Sequence, residues 1–180
     1  MNVPNILTTD NTVVVAIDFQ DRLFPVMHEK EKLLKNVLKL IKGAQALQIP
    51  VILTEQYPKG LGPTLPEIKE LLPDTQPIEK TCFSCCDEGN FSRALETSKR
   101  KQVLICGIEA HICVYQTTMA LLRAGYEVQV VTDCVSSRDP ENKMVSLFKM
   151  GSGGASPTTV ETALFELLKV GRGGHVQGNQ

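Results

Sequence analysis

The sequence predicts a three-layer α/β/α domain of Rossmann-like design: a mostly parallel sheet of five or six strands with helices on both faces. Three observations carry this reading. Short apolar runs alternate with longer amphipathic ones along the whole chain, the pattern of repeated βα units. The short runs are apolar on both faces, as strands covered by two helical layers are. The length, 180 residues, suits a single domain spanning 1–180.

The elements follow in order. Thr12–Ile17 is β-rich and apolar on both faces, the mark of a buried parallel strand. Glu31 to Leu47 places Leu33, Leu34, Val37, Leu38, Leu40, Ile41 and Ala44 in one stripe at helical period, with Lys and Glu opposite. Pro50–Thr54 is a second strand. A loop rich in Pro and Gly, Tyr57–Pro63, leads to a short helix at Pro66–Leu72 with Thr64 as its candidate N-cap. Gln76–Lys80 is a third strand and Asn90–Ser98 a helix. Gln102–Cys106 is a fourth strand, ended by Gly107. Ile112–Ala124 is apolar nearly all round, which predicts a buried helix, and Gly125 suits its C′ position. Tyr126–Val131 is a fifth strand. Pro140–Met150 is a helix with Asp139 as its cap. Ala155–Thr158 is a weak sixth strand, because Pro157 confines it to an edge. A helix over Thr159–Lys169 and a frayed tail from about residue 171 complete the chain.

Composition excludes several classes. Hydrophobic residues at 42% and charged residues at 22% exclude a disordered chain, a collagen-like fibre and a coiled coil. Lys+Arg 19 against Asp+Glu 20 leaves a formal charge of -1, with no electrostatic footprint for nucleic acid or an anionic membrane. Met1–Asn5 has neither the basic patch nor the apolar stretch of a secretory signal. The longest apolar runs fall far short of the roughly 20 residues of a membrane span. A cytoplasmic location is the default. The six cysteines, at 82, 85, 86, 106, 113 and 134, then read as free thiols rather than a disulfide framework. Cys82-Phe83-Ser84-Cys85 has the spacing of half a zinc site, but no second ligand pair matches it and the three histidines are isolated.

Open α/β sheets bind ligands beyond the carboxyl ends of their strands. There the first strand ends in Asp18, followed by Phe19 and Gln20; the second in Thr54-Glu55-Gln56; the third in Lys80; and the fourth leads through Gly107-Ile108-Glu109-Ala110-His111-Ile112 to Cys113. A carboxylate, an ammonium and a thiol thus project to one rim. Each alone has an ordinary reading: Cys113 as a small core residue, Asp18 as a turn residue, Lys80 as a solvated charge. Together they suit nucleophilic catalysis. The first turn of a helix and a nearby Lys80 favour a thiolate at Cys113, whose free value is about 8.5. Asp18 can accept the thiol proton and return it to a leaving group. Backbone N–H groups around Cys113 can receive an oxyanion. No G-x-G-x-x-G, phosphate-binding G-x-x-x-x-G-K-[ST] or G-x-S-x-G motif competes.

These residues carry a resemblance. Val15–Gln20, Glu79–Ser84 and Cys106–Cys113 resemble the isochorismatase-like cysteine hydrolases, over about Thr12 to Val170. Leu53–Thr64 further resembles the isochorismatase domain-containing protein 2 subgroup. The resemblance implies Asp18 as general base, Lys80 as its charged partner and Cys113 as nucleophile. It implies a cis Ile108–Glu109 peptide that aims the N–H groups of Glu109 and Cys113 at one oxyanion. It implies an oligomer of identical chains and a small-molecule substrate, while the charge balance already points to no nucleic-acid and no membrane partner. Nicotinamidases of this family carry an Asp-x-His metal motif after the second strand. Thr54-Glu55-Gln56 stands there instead, so no cofactor and no metal are expected, and nicotinamide is in doubt as substrate. The expected activity is hydrolysis of a small amide or related C–N bond through a Cys113 thioester, with Phe19, Gln20, Tyr57 and Phe83 as substrate-binding residues. Two other readings stay open: a catalytically silent scaffold that binds partners, and a thiol redox role for Cys82, Cys85 and Cys86.

Overall fold

Six strands form one all-parallel sheet in the computed structural model, which describes residues 5–170. The expected frayed tail from about 171 lies outside the described residues. The strands are β1 (Thr12–Ile17), β2 (Val51–Gln56), β3 (Ile78–Lys80), β4 (Gln102–Ile108), β5 (Glu127–Ser136) and β6 (Ser156–Thr158). The helices are α1 (Lys30–Ala46), α2 (Pro58–Leu61), α3 (Pro66–Leu71), α4 (Gly89–Ser98), α5 (Tyr115–Arg123), α6 (Pro140–Ser152) and α7 (Val160–Leu168). The spatial order is β3-β2-β1-β4-β5-β6.

Period-two alternation along β1 builds both cores. Val14 and Ala16 join Leu33, Val37, Leu40 and Ile41 of α1 and Ala163 and Leu167 of α7 on one face. Val13, Val15 and Ile17 join Phe91 and Leu95 of α4, Leu121 of α5 and Met150 of α6 on the other. Each such Leu, Ile or Phe contributes roughly 1.5–3 kcal/mol when taken fully out of water. This is the three-layer α/β/α arrangement, and β6 forms at the edge, where Pro157 is tolerated.

Several local expectations are corrected. Gly107 does not end β4. It continues the strand at φ +148, and a Cβ there would sit 2.6 Å from the Ile17 carbonyl oxygen, so only glycine lets β1 and β4 approach. β5 runs on to Ser136 because its polar residues find partners: Thr132 Oγ1 donates to Thr158 O (2.9 Å), and Asp133 Oδ1 accepts from the Val160 N–H (3.0 Å) that opens α7. Thr64 caps nothing, since its N–H and hydroxyl both donate to Glu55 Oε1 (2.7 and 2.6 Å) and fasten the Pro/Gly loop to β2. The segment expected as one helix from Ile112 starts as a single π turn, Ala110–Val114, and becomes α-helical at Tyr115. Asp139 does cap α6, accepting from Glu141 N–H (2.8 Å). Gly125 does take the left-handed C′ conformation after α5, at φ +82.

The strand order places the topological switch between β1 and β4, because the chain leaves β1 toward β2 and β3, then returns to its other side at β4. Asp18 leaves one of these strands and the π turn bearing Cys113 follows the other.

Candidate active site at the switch point

Asp18 follows β1 directly, in the left-handed region at φ 57, a conformation Asp tolerates better than most residues. Its N–H donates to Thr54 O (3.2 Å), which ties the turn to β2. Lys80 ends β3, two strands away from β1 in the sheet. Its side chain reaches over β2, and Nζ donates to Asp18 Oδ2 at 2.7 Å, with both side chains at 0% exposure. A buried pair of this kind persists only when its remaining valences are met. Here they are. Thr54 Oγ1 donates to Asp18 Oδ1 (2.7 Å), and Gln56 Oε1 accepts from Lys80 Nζ (2.7 Å). The carbonyls of Cys82 and Phe83 accept from the same ammonium at 3.3 and 3.4 Å. Burial alone lowers the proton affinity of Lys80, but the Asp18 carboxylate and the charges Cys85 and Cys113 can carry outweigh it and hold it above the ordinary lysine value.

Cys113 sits in the π turn at 5% exposure, beside both charges. Its thiol is not poised as a thiolate, contrary to expectation. Burial, followed by the Asp18 carboxylate, pushes it up well beyond the ordinary thiol range against the pull of Lys80. The resting arrangement is therefore a neutral thiol next to a closed ion pair. The thiol becomes a nucleophile when a base takes its proton, and Asp18 is the carboxylate that faces it.

The Ile108–Glu109 peptide is cis. Among the described residues, the Glu109 N–H has no protein acceptor. The Glu109 carboxylate is anchored elsewhere: Oε2 accepts from the Arg138 N–H (2.9 Å) and side chain (3.2 Å). His111 Nδ1 pairs with Ser137 Oγ at 2.9 Å, so the start of the π turn is latched to the end of β5.

The expected substrate-binding residues divide. Tyr57 and Phe83 are 54% and 53% exposed. Tyr57 lines a cleft of ≈ 330 Å³ with Lys59, Glu79, Lys80, Thr81 and Glu88. Phe19 does not line it, because it is wholly enclosed in the core beneath α1 and α7. Gln20 is buried too and works on the loop: Nε2 donates to the Gln56 and Gly62 carbonyls, and Oε1 accepts from the Gln56 N–H. A larger cavity, ≈ 440 Å³, lies at the opposite end of the sheet by Gln102 and Glu127, where Asn5 and Gln102 already occupy the carboxylate of Glu127. The residues sequence reasoning missed are Thr54, Gln56 and Cys85. Thr54 and Gln56 stand two apart on β2 and so share a face. That spacing was visible, but what the face meets depends on strand order.

Comparisons with known proteins bear on the family and the fold. The isochorismatase domain model matches residues 12–162. The zebrafish (Danio rerio) isochorismatase domain-containing protein 2 is 36% identical over 163 residues, 91% of this chain and 82% of that protein. Among solved structures, the MAR1 ribonuclease of Caenorhabditis elegans superposes with a TM-score of 0.88 at 36% identity, covering 92% of this chain and 85% of that one. YcaC from Pseudomonas aeruginosa, solved with hexane-2,5-diol and covalent acrylamide, has a TM-score of 0.90 at 26% identity over 94% and 86% of the two chains. The Escherichia coli YcaC product, described as an octameric hydrolase of unknown specificity, has a TM-score of 0.90 at 26% identity, over 94% and 85%. No described helix is long and apolar enough to cross a membrane.

Proposed function

The chain belongs to the isochorismatase family, and we propose that within it this protein is a metal-independent cysteine hydrolase of a small amide or related C–N bond. The observation that carries the proposal is the buried Asp18–Lys80 pair held against Cys113 at the switch point of the sheet. In the first half-reaction Cys113 Sγ attacks the amide carbon while its proton passes to Asp18. The charge that appears on the carbonyl oxygen is received by the N–H groups of Glu109 and Cys113. Asp18 returns the proton to the departing nitrogen, the C–N bond breaks, and a thioester remains. In the second half-reaction Asp18 takes a proton from water, the hydroxyl adds to the thioester, and the acid leaves as Cys113 regains its proton. Lys80 keeps Asp18 in place and offsets the negative charge shared by Asp18 and Cys113.

The polar side chains of β2 beside the site already have partners. Thr54 and Gln56 bond the ion pair and Glu55 bonds Thr64, so the residues of β2 are arranged for the pair rather than for a metal. A covalent acrylamide on the Pseudomonas aeruginosa relative supports an amide-bearing electrophile as a fit for this fold. Tyr57 would form an apolar wall of the cleft, which Phe83 does not line. A second copy of the chain is the proposed partner, supported by Met144, Val145 and Phe148 standing out from α6 and by the octameric relative. The cytoplasm is the proposed location, since the mechanism requires Cys113 to remain reduced.

A panel of small amides, nitriles and esters, with single-stranded RNA included because one relative is named a ribonuclease, tests the reading. Turnover of an amide by the wild type and its loss in Cys113→Ala is the expected result. Turnover undiminished in Cys113→Ala overturns the mechanism. No turnover of any compound by the wild type favours the scaffold reading, and cleavage of RNA alone favours a nuclease.

A further inference from the structure

We propose that Thr54 is a positioning residue that sets how readily Asp18 takes up the Cys113 proton. The inference rests on the reading of Asp18 as base and goes beyond it. The Thr54 side chain is fully enclosed, and its oxygen lies 2.7 Å from Asp18 Oδ1. An ionised carboxylate only accepts hydrogen bonds, so the hydroxyl must donate. On its other side the Cys85 thiol approaches at 4.0 Å. Cys85 is fully buried and remains protonated, pushed up to about 12, first by desolvation. As a thiol it is only a weak donor and a weak acceptor, so it competes poorly with the Asp18 carboxylate for the Thr54 hydrogen. The Thr54 hydrogen is thereby turned toward Asp18.

A donated hydrogen bond favours the charged form of an acid over the neutral one. Thr54 consequently opposes protonation of Asp18, while Lys80 on the other oxygen does the same with a full charge. The other ionisable groups that face Asp18 are Cys113 from the π turn and Cys85 from the turn after β3. The proton transfer is internal to this cluster: the S–H bond of Cys113 breaks, an O–H bond forms on Asp18, and the net charge is unchanged. Over the pH range in which this proton is shared only within the cluster, the fraction of protein carrying the thiolate does not vary with pH. A cysteine without such a base gains about tenfold in thiolate for each pH unit below its own value.

The test is the rate at which acrylamide labels Cys113, followed by peptide mass spectrometry from pH 4 to 10. Labelling joins Sγ to the terminal alkene carbon, opens the C=C bond and leaves the proton on the carbon next to the carbonyl. The wild type should show a plateau at neutral pH, and Asp18→Asn a steady rise with none. Thr54→Val should raise the plateau by about tenfold and move its acid edge up by about one pH unit, because one charge-assisted hydrogen bond is lost. Thr54→Ser should restore the wild-type profile. A plateau in Thr54→Val that is equal to or lower than that of the wild type overturns the inference, as does a Thr54→Ser profile matching Thr54→Val. Loosened packing that merely exposed Cys113 would speed labelling without moving the acid edge, so the gain and the edge shift must appear together. If the wild type and Asp18→Asn give the same profile, the base assignment fails and this inference fails with it. If only the Thr54 result fails, the base assignment stands.

Discussion

Replacing Lys80 by Met removes a charge and keeps most of the volume of the stem, so it isolates what the ion pair does for the fold. In the native protein Nζ and Asp18 Oδ2 are 2.7 Å apart and both side chains have 0% exposure. After the change the carboxylate keeps the Thr54 hydroxyl and loses its counter-charge, while Gln56 Oε1 loses its donor. Breaking a buried pair from one side costs about 3–5 kcal/mol. For a domain of this size each kcal/mol is worth about 2–4 °C, so the midpoint should fall by about 6–20 °C. The chain has no tryptophan, and far-ultraviolet circular dichroism followed on heating at pH 7 is the appropriate assay. Adding Asp18→Asn to Lys80→Met removes the stranded charge and should recover at least half of the loss. The reasoning is refuted if Lys80→Met stays within about 1 kcal/mol of the wild type, or if the double variant is no more stable than the single one.

Other consequences are open to measurement. Cys85 and Cys106 are fully buried and pushed up to about 12 by desolvation, whereas unfolded thiols ionise near about 8.5. Between about pH 9 and 12 the unfolded chain therefore holds fewer protons, and stability should fall by up to about 2.7 kcal/mol per pH unit from these two groups together. Cys106→Ala should roughly halve their joint contribution, and an unchanged pH dependence of unfolding in that variant contradicts it. Gly107→Ala, with a Cβ 2.5 Å from Ile17 Cβ and 2.6 Å from its carbonyl oxygen, should cost at least about 3 kcal/mol or abolish soluble expression. Glu55→Ala removes both bonds to Thr64 and should cost about 2–3 kcal/mol. It should also make the segment 57–64 the first site of limited proteolysis, and cleavage elsewhere first would show that Glu55 does not hold this loop.

The layers of the fold were legible because their signals are local. The two-sided apolar run at Val13–Ile17 and the stripe from Leu33 to Ala44 each carry their own period. What misled was also local. Thr132 and Asp133 read as the end of a strand, and only their partners on β6 and α7 allow β5 to continue. Thr64 has the composition of a cap and is claimed instead by Glu55, nine residues earlier. At the site, Asp18, Lys80 and Cys113 were marked by their position at strand ends. Thr54 and Gln56 were not, since their role depends on β2 lying between β1 and β3. Phe19 was misplaced because one residue after a strand decides whether a side chain meets the core or the cleft. The expected thiolate failed for another reason. Helix-end arguments concern the backbone, and here burial and the neighbouring carboxylate dominate.

The order in which the six thiols react tests the account most directly. Cys82 and Cys86 are partly exposed, while Cys113 keeps only 5% of its surface. With acrylamide at pH 7, peptide mass spectrometry should find Cys113 modified first. Modification of Cys82 and Cys86 ahead of Cys113, in the order of their exposure, would contradict the account.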